Sequence, residues 1–245
     1  MASFPPFKAY ILATLDELIE RHRLTGPFLD LGCGRGDVAV HLARRGWSGM
    51  AVDAAPVVRA LASAALAAYP QVQVGAALPD GERFNTVLLM DVLEHVADDR
   101  GTLLALAARQ PPHGALVATV PSNQEREWRW DDEVYGHLRR YGPSACAAVL
   151  EAAGYRVIEM WDVSFPFFWL LRRGFTALKR PPAFADTPEE RSARSATTEA
   201  WDLPVIGRLL SHPRLWRPAF ALQRRFRGRP ERGAEMIVLA RRVMP

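Results

Sequence analysis

Three clusters of residues have types and spacings that could do chemistry. The first is "FLDLGCGRGDVAV", residues 28–40, where Asp30 is followed by Gly32, Gly34 and Gly36, and the next apolar run, "GMAVD", closes on Asp53. Glycines at alternate positions permit backbone dihedrals that side chains forbid, and they let a ligand lie against the main chain. A helix start directly after them favours negative charge on that ligand, such as a carboxylate. A carboxylate at the end of the second strand can accept hydrogen bonds from both hydroxyls of a ribose. The second cluster is "MDVLEHV", with Asp91, Glu94 and His95; the third is "DDEVYGHLRRYGPS", with His137, Arg139, Arg140 and Tyr141, preceded by Trp128 and Trp130. A histidine in such a place can act as a general base or ligate a metal.

These residues need a scaffold that brings separate chain segments to one edge. The apolar pattern predicts a helix over 7–23, strands over 28–31 and 49–52, helices over 37–45 and 56–69, and a strand over 72–74. "FNTVLLMD", residues 84–91, has the continuous apolar character of a strand buried on both faces. A helix over 98–109, a strand over 115–120, a helix over 143–153 and strands over 156–163 and 235–241 complete the series. Strands alternating with helices imply an α/β fold with an open, doubly wound, mostly parallel sheet of seven strands. Residues 164–233 are too long for a simple connection. They are expected to form a helical insertion or lid, with helices near 167–180 and 214–225 and polar turns such as "FADTPEERSARS". Pro218 is expected to break any continuous helix in the second stretch. The core is then 1–163 plus 234–245.

Ligands of open α/β sheets bind beyond the carboxyl ends of the strands. The turn here is G-x-G-x-G, not the dinucleotide G-x-G-x-x-G, because Asp37 occupies the later position. Pyrophosphate beside Asp30 and Asp37 is unfavourable. An adenosine ribose fits Asp53 without deciding what the adenosine carries.

Taken together, "LDLGCGRGDVAVHLARRG", "GMAVDAA" and "FNTVLLMDVLEHVADD" resemble the class I S-adenosylmethionine-dependent methyltransferases, most of all the branch acting on small and lipid-like molecules that includes ubiquinone-pathway O-methyltransferases. The resemblance covers about residues 24–163 and resumes at the last strand. It implies a Rossmann-like methyltransferase fold and S-adenosylmethionine as cofactor. It places Asp30 beneath the methionine amino group, Gly32, Cys33 and Gly34 along the ligand by backbone, Asp53 on the ribose and Ala54 beside the adenine. Met90 and Asp91 flank the methionine portion. Many relatives carry an acid after the third strand; "VGAALPDG" has none at the corresponding place, so Ala76 or Ala77 can offer only backbone. The resemblance also places His137 beside the acceptor as catalytic base, with His95, Trp130, Arg140 and Tyr141 as acceptor contacts. Relatives with E-x-x-E-H bind a divalent metal there. Here the first acid is Asp91, and the preferred reading is a His95 that packs or caps, with no metal.

Composition narrows the class further. Two cysteines, Cys33 and Cys146, with no pairing or metal-ligand spacing point to a reducing, cytoplasmic setting. No secretory signal or membrane span is expected. The net charge of +4 is uneven: 15 basic against 20 acidic residues through Val163, 16 against 7 from Ser164 on. All but Lys8 and Lys179 of the basic residues are arginine. That tail suits anionic partners, among which a peripheral contact with the inner membrane face ranks above nucleic acid. The expected activity is methyl transfer to a small or lipid-like acceptor, O-methylation favoured. An RNA or protein methyltransferase, or a catalytically silent S-adenosylmethionine-binding protein, stays open as the alternative.

Overall fold

The structure is a computed structural model that describes residues 5–179 and 213–243. Seven strands form one sheet: β1 (Phe28–Leu31), β2 (Gly49–Val52), β3 (Val72–Gly75), β4 (Thr86–Met90), β5 (Ala115–Pro121), β6 (Tyr155–Asp162) and β7 (Glu235–Arg242). Their order is β3-β2-β1-β4-β5-β7-β6. The first five pair in parallel, and β7 slots between β5 and β6 antiparallel to both. The order reverses at β1, so the crevice for a ligand lies where β1 and β4 end side by side.

The strands are short and apolar because both sheet faces are covered. Successive side chains point to opposite faces. In β4, Leu88 joins the core beneath one helical layer while Val87 and Leu89 join the other. The first layer holds α1 (Pro5–His22), α2 (Asp37–Arg44) and α3 (Pro56–Leu66). The second holds α4 (Asp99–Ala108) and α7 (Pro143–Ala152). Leu15, Leu18, Leu42 and Phe28 are fully buried in one core, Leu103, Leu150 and Tyr155 in the other.

The connection from β5 to α7 is not the plain loop expected. It contains two short helices, α5 (Gln124–Glu127) and α6 (Trp130–Tyr135). The backbone N–H of Arg129 donates to Asp132 at 2.8 Å, which starts α6, and Gly136 ends it in the left-handed region. After β6 the chain forms α8 (Phe167–Leu178). Before β7, a 3₁₀ turn at Pro213–Trp216 runs into α9 (Arg217–Phe226). Pro218 sits in the first turn of α9, where a missing N–H leaves no bond unmade; the 3₁₀ turn gives way to α9 there, and no single α-helix runs through the stretch. The expected polar turns of 180–212 lie outside the described residues. α8 docks on α1 through Phe168, whose ring meets Phe7 at 4.9 Å and Tyr10 at 5.8 Å. α9 docks there through Phe220, 5.1 Å from Tyr10, and Arg227, whose Nη1 lies 2.6 Å from Glu17.

Candidate functional site

The glycine turn folds back on β2. The backbone N–H groups of Gly32 and Cys33 both donate to the Val52 carbonyl, at 2.8 and 3.0 Å. Gly32 and Gly34 lie at φ of +72° and +53°, and a Cβ added at Gly34 would meet nothing within 4 Å. At Gly32 the same Cβ would meet Val92, so the open space lies beside Gly34, where a ligand could rest against the main chain. Asp53, largely buried, accepts from the N–H of Gly34 through Oδ2 (3.1 Å) and from that of Ala55 through Oδ1 (3.0 Å). It thus ties the turn to the β2 terminus. Arg59 donates to the Asp53 carbonyl from α3 at 2.9 Å. Ala54 and Ala77 are both exposed on this side.

Asp30 lies under the turn, buried, with Oδ2 lacking any protein partner. Burial pushes its pKa up to about 7; the Ala39 backbone N–H opposes this, and Asp37 and Asp53 add to it. A buried carboxylate oxygen without a partner is costly, and a ligand ammonium would relieve it. Asp37 is paired with Lys8 of α1. Burial also drives the Cys33 thiol far above its ordinary range, with Asp30 and Asp53 contributing. That leaves Cys33 as backbone and packing, not as a nucleophile.

At the end of β4, Met90 is half-buried and Asp91 turns into the left-handed region at φ +56°. Its backbone N–H donates to Thr119, and the Thr119 hydroxyl donates to Asp91 Oδ1 at 2.7 Å. Residues 93–95 form a 3₁₀ turn that carries Glu94 inward and His95 outward. The Leu138 N–H donates to the Glu94 carbonyl at 2.8 Å, which holds the loop after β5 against this turn. The rings of His95 and His137 consequently meet edge to face at 4.9 Å. Glu94, His95 and His137 each present a ligand atom within 4.8 Å of the others. Glu94 is fully buried, and neither carboxylate oxygen has a hydrogen-bond partner. Burial, then Asp91, raises its pKa well above the usual range.

His137 is itself pinned. Its Nδ1 lies 2.8 Å from Asp132 Oδ1, and its backbone N–H donates to the Asp132 carbonyl. Arg140 is buried and bound to its own chain: Nε donates to the Ser122 carbonyl at 2.8 Å, and the two terminal nitrogens donate to Asp132 and to the Ala234 carbonyl. Tyr141, also buried, donates to Asp99 at 2.7 Å, and Asp99 is in turn held by Arg139 at 2.6 Å. The Trp130 indole N–H donates to the Thr176 carbonyl of α8 at 2.8 Å. Of the residues expected around the acceptor, His95 and His137 therefore meet. Arg140, Tyr141 and Trp130 hold the frame around them: each uses its polar group inside the protein.

Sequence reasoning missed Asp132, Thr119 and Arg172 of α8. The "WDDE" run was a visible signal for Asp132; nothing local marked Arg172. His95 and His137 were expected together at the acceptor only through the family resemblance; no periodicity joins Glu94 and His95 to His137, positions that a loop crossing brings together.

Comparison with known proteins gives the family and the fold. Residues 7–160 match the family described as "Methyltransferase domain". A ubiquinone biosynthesis O-methyltransferase of Dinoroseobacter shibae is 37% identical over 155 residues, 56% of this chain and 62% of that protein. Another, from Cereibacter sphaeroides, is 30% identical over 46% of this chain and 58% of that protein. The chain thus spans about three-fifths of the length of these curated relatives. Among solved structures, the N-methyltransferase NodS of Bradyrhizobium japonicum shares the fold over 98% of both chains at 12% identity, with a TM-score of 0.55. A Burkholderia thailandensis 1,6-didemethyltoxoflavin-N1-methyltransferase, solved with that substrate and S-adenosylhomocysteine, matches all of this chain and 79% of its own at 17% identity, with a TM-score of 0.54.

Proposed function

The chain belongs to the methyltransferase-domain family, and from that premise we propose that it moves a methyl group from S-adenosylmethionine to a hydroxyl of a small or lipid-like acceptor. The observation that carries the hydroxyl reading is His137, with Nδ1 held by Asp132, placed beside the β4 terminus. The glycine cradle with Asp30 and Asp53 opens on the same sheet edge, at the ends of β1 and β2.

S-adenosylmethionine, when bound, supplies a methyl group already activated on a sulfonium. Asp53 would accept from the ribose hydroxyls, Asp30 would receive the methionine ammonium, and the backbone of Gly32 to Gly34 would lie along the ligand. His137 Nε2 would take the acceptor's proton as its oxygen forms the new bond to carbon, which raises the nucleophile's strength as the carbon–sulfur bond breaks. Alignment of the two reactants in one crevice contributes the larger part of such a rate gain.

One observation favours a second component. Glu94 is buried with neither oxygen hydrogen-bonded, 4.0 Å from the His95 ring and close to His137. A divalent cation held by these three would satisfy Glu94 and acidify an acceptor hydroxyl. The test is a radiolabelled methyl-transfer screen against catechols, carboxylic acids and amines, with magnesium, manganese or EDTA present. Labelled product from hydroxyl acceptors is expected. A fall of tenfold or more in EDTA supports the cation, and an equal rate in EDTA leaves histidine as the base alone. Product from amines only would overturn the hydroxyl reading.

Among the described residues, no helix is long and apolar enough to cross a membrane. Surface contact is a separate matter. α8 exposes Leu170 (57%) and Leu178 (88%), next to Lys179 and Arg173. This combination suits an anionic lipid interface, where the acceptor's apolar tail would reside. In flotation with vesicles containing an anionic phospholipid, the protein is expected to rise with the lipid at low salt. A Leu178→Glu variant should stay below. Equal recovery of both variants in the dense fraction would count against the contact.

A further inference from the structure

Two residues outside the glycine cradle converge on the histidine that faces the acceptor. Asp132 is fully buried, and every side of its carboxylate is occupied. Oδ1 meets His137 Nδ1 at 2.8 Å and accepts from Arg140; Oδ2 accepts from the Arg129 backbone at 2.8 Å and from Arg172 Nη2 at 2.9 Å. Arg172 comes from α8, forty residues along the chain from Asp132. Its guanidinium grips Asp131 with Nε at 2.8 Å and Nη2 at 2.7 Å, and Nη1 donates to the Glu127 carbonyl at 2.9 Å. Both arginines and both aspartates are buried.

The geometry points to Asp132 and Arg172 as positioning residues for the acceptor site: Asp132 keeps the His137 proton on Nδ1 so that Nε2 presents its lone pair, and Arg172 holds Asp132 in place from α8. This rests on the reading of His137 as the acceptor-side base or ligand. An ionised carboxylate has no proton to give, so the ring nitrogen facing it must be the donor. Burial alone would raise the Asp132 pKa, but the His137 hydrogen bond and the charges of Arg140 and Arg172 outweigh it and hold the group well below the usual carboxylate range. Glu127, Asp131 and Asp132 lie against Arg140, Arg172 and Arg173, so each buried carboxylate of the network faces a guanidinium. A fork of donors in fixed geometry is the part of this that lysine cannot copy. The arrangement also means that α8, which lies in the 164–233 segment, and the His137 loop dock as one unit. Where α8 sits therefore decides where Nε2 points.

The test compares the wild-type chain with Asp132→Asn and Arg172→Lys. In histidine 15N NMR, long-range nitrogen–proton correlations distinguish the two neutral tautomers without any turnover. The wild type is expected to hold His137 as the Nδ1–H form. Asp132→Asn should shift a substantial fraction to the Nε2–H form, because an amide can present a donor to the ring. On whichever screened hydroxyl compound proves to be an acceptor, kcat should fall about 100-fold with the S-adenosylmethionine dissociation constant within twofold. Arg172→Lys, which keeps the charge, should lower kcat about tenfold and give mixed tautomers. Unchanged His137 tautomer in both variants would overturn the proposal, even if the variants are less stable. If no screened compound is methylated, the functional reading fails while the tautomer measurement still decides this one. Should Asp132→Asn not fold, Arg172→Lys carries the comparison alone.

Discussion

Asp53→Ala is expected to raise the dissociation constant for S-adenosylmethionine about 100-fold, or ~3 kcal/mol from two charge-assisted hydrogen bonds at about 1.5 kcal/mol each. The expectation has two sources. Asp53 stands at the end of β2 where ribose hydroxyls would meet it, and its two oxygens already hold the N–H groups of Gly34 and Ala55. Removing the carboxylate therefore takes away the ligand's acceptors and loosens the glycine turn that shapes the cradle. Asp53→Asn should be nearly as damaging. Its NH₂ group would confront one of those two backbone donors, and a donor against a donor is repulsive. Calorimetry with S-adenosylmethionine and S-adenosylhomocysteine measures the effect, and circular dichroism separates it from unfolding. Equal affinity in wild type and Asp53→Ala would remove Asp53 from the cofactor site.

His137→Ala should act on the other half of the reaction. Loss of a positioned base lowers turnover by about 100- to 1,000-fold, while cofactor affinity stays within about twofold. The split follows from placement. His137 touches Asp132 and the His95 ring, and no described contact links it to the glycine turn or to Asp53. If His137 serves mainly through a cation with Glu94 and His95, the variant should also lose any stimulation by magnesium or manganese. Single-turnover rates read the chemical step directly. A variant that turns over at the wild-type rate would leave His137 as an ordering element of its loop.

Much of the scaffold was legible from residue order. β1 and β2 end where the apolar runs end, and β4 was recognisable because a strand covered on both faces carries no polar alternation. The long gap before β7 gave no clue that β7 would slot between β5 and β6. The α3 helix stops at Leu66, three residues short of the expected end, since an alanine-rich run continues past the point where packing ends. Around the site, the turn residues were legible one by one, whereas α5, α6 and the ionic cluster beneath them were not. Arg140 looked like a hand held out to a ligand, but in the folded chain three of its nitrogens bind Ser122, Asp132 and Ala234.

The sequence by itself determined the strand–turn–helix–strand run on which the donor proposal rests. Asp30, the glycines and Asp53 lie within a strand–turn–helix–strand run, where short-range backbone rules dictate what each residue can do. Only the tertiary structure assembled the cluster on which the acceptor proposal rests. It set His95 4.9 Å from His137, left the Glu94 carboxylate buried without a hydrogen bond, and brought Arg172 across from α8 to Asp132. Those contacts join positions about forty residues apart. Buried charges must find partners wherever packing supplies them, and no local pattern records which partner that will be.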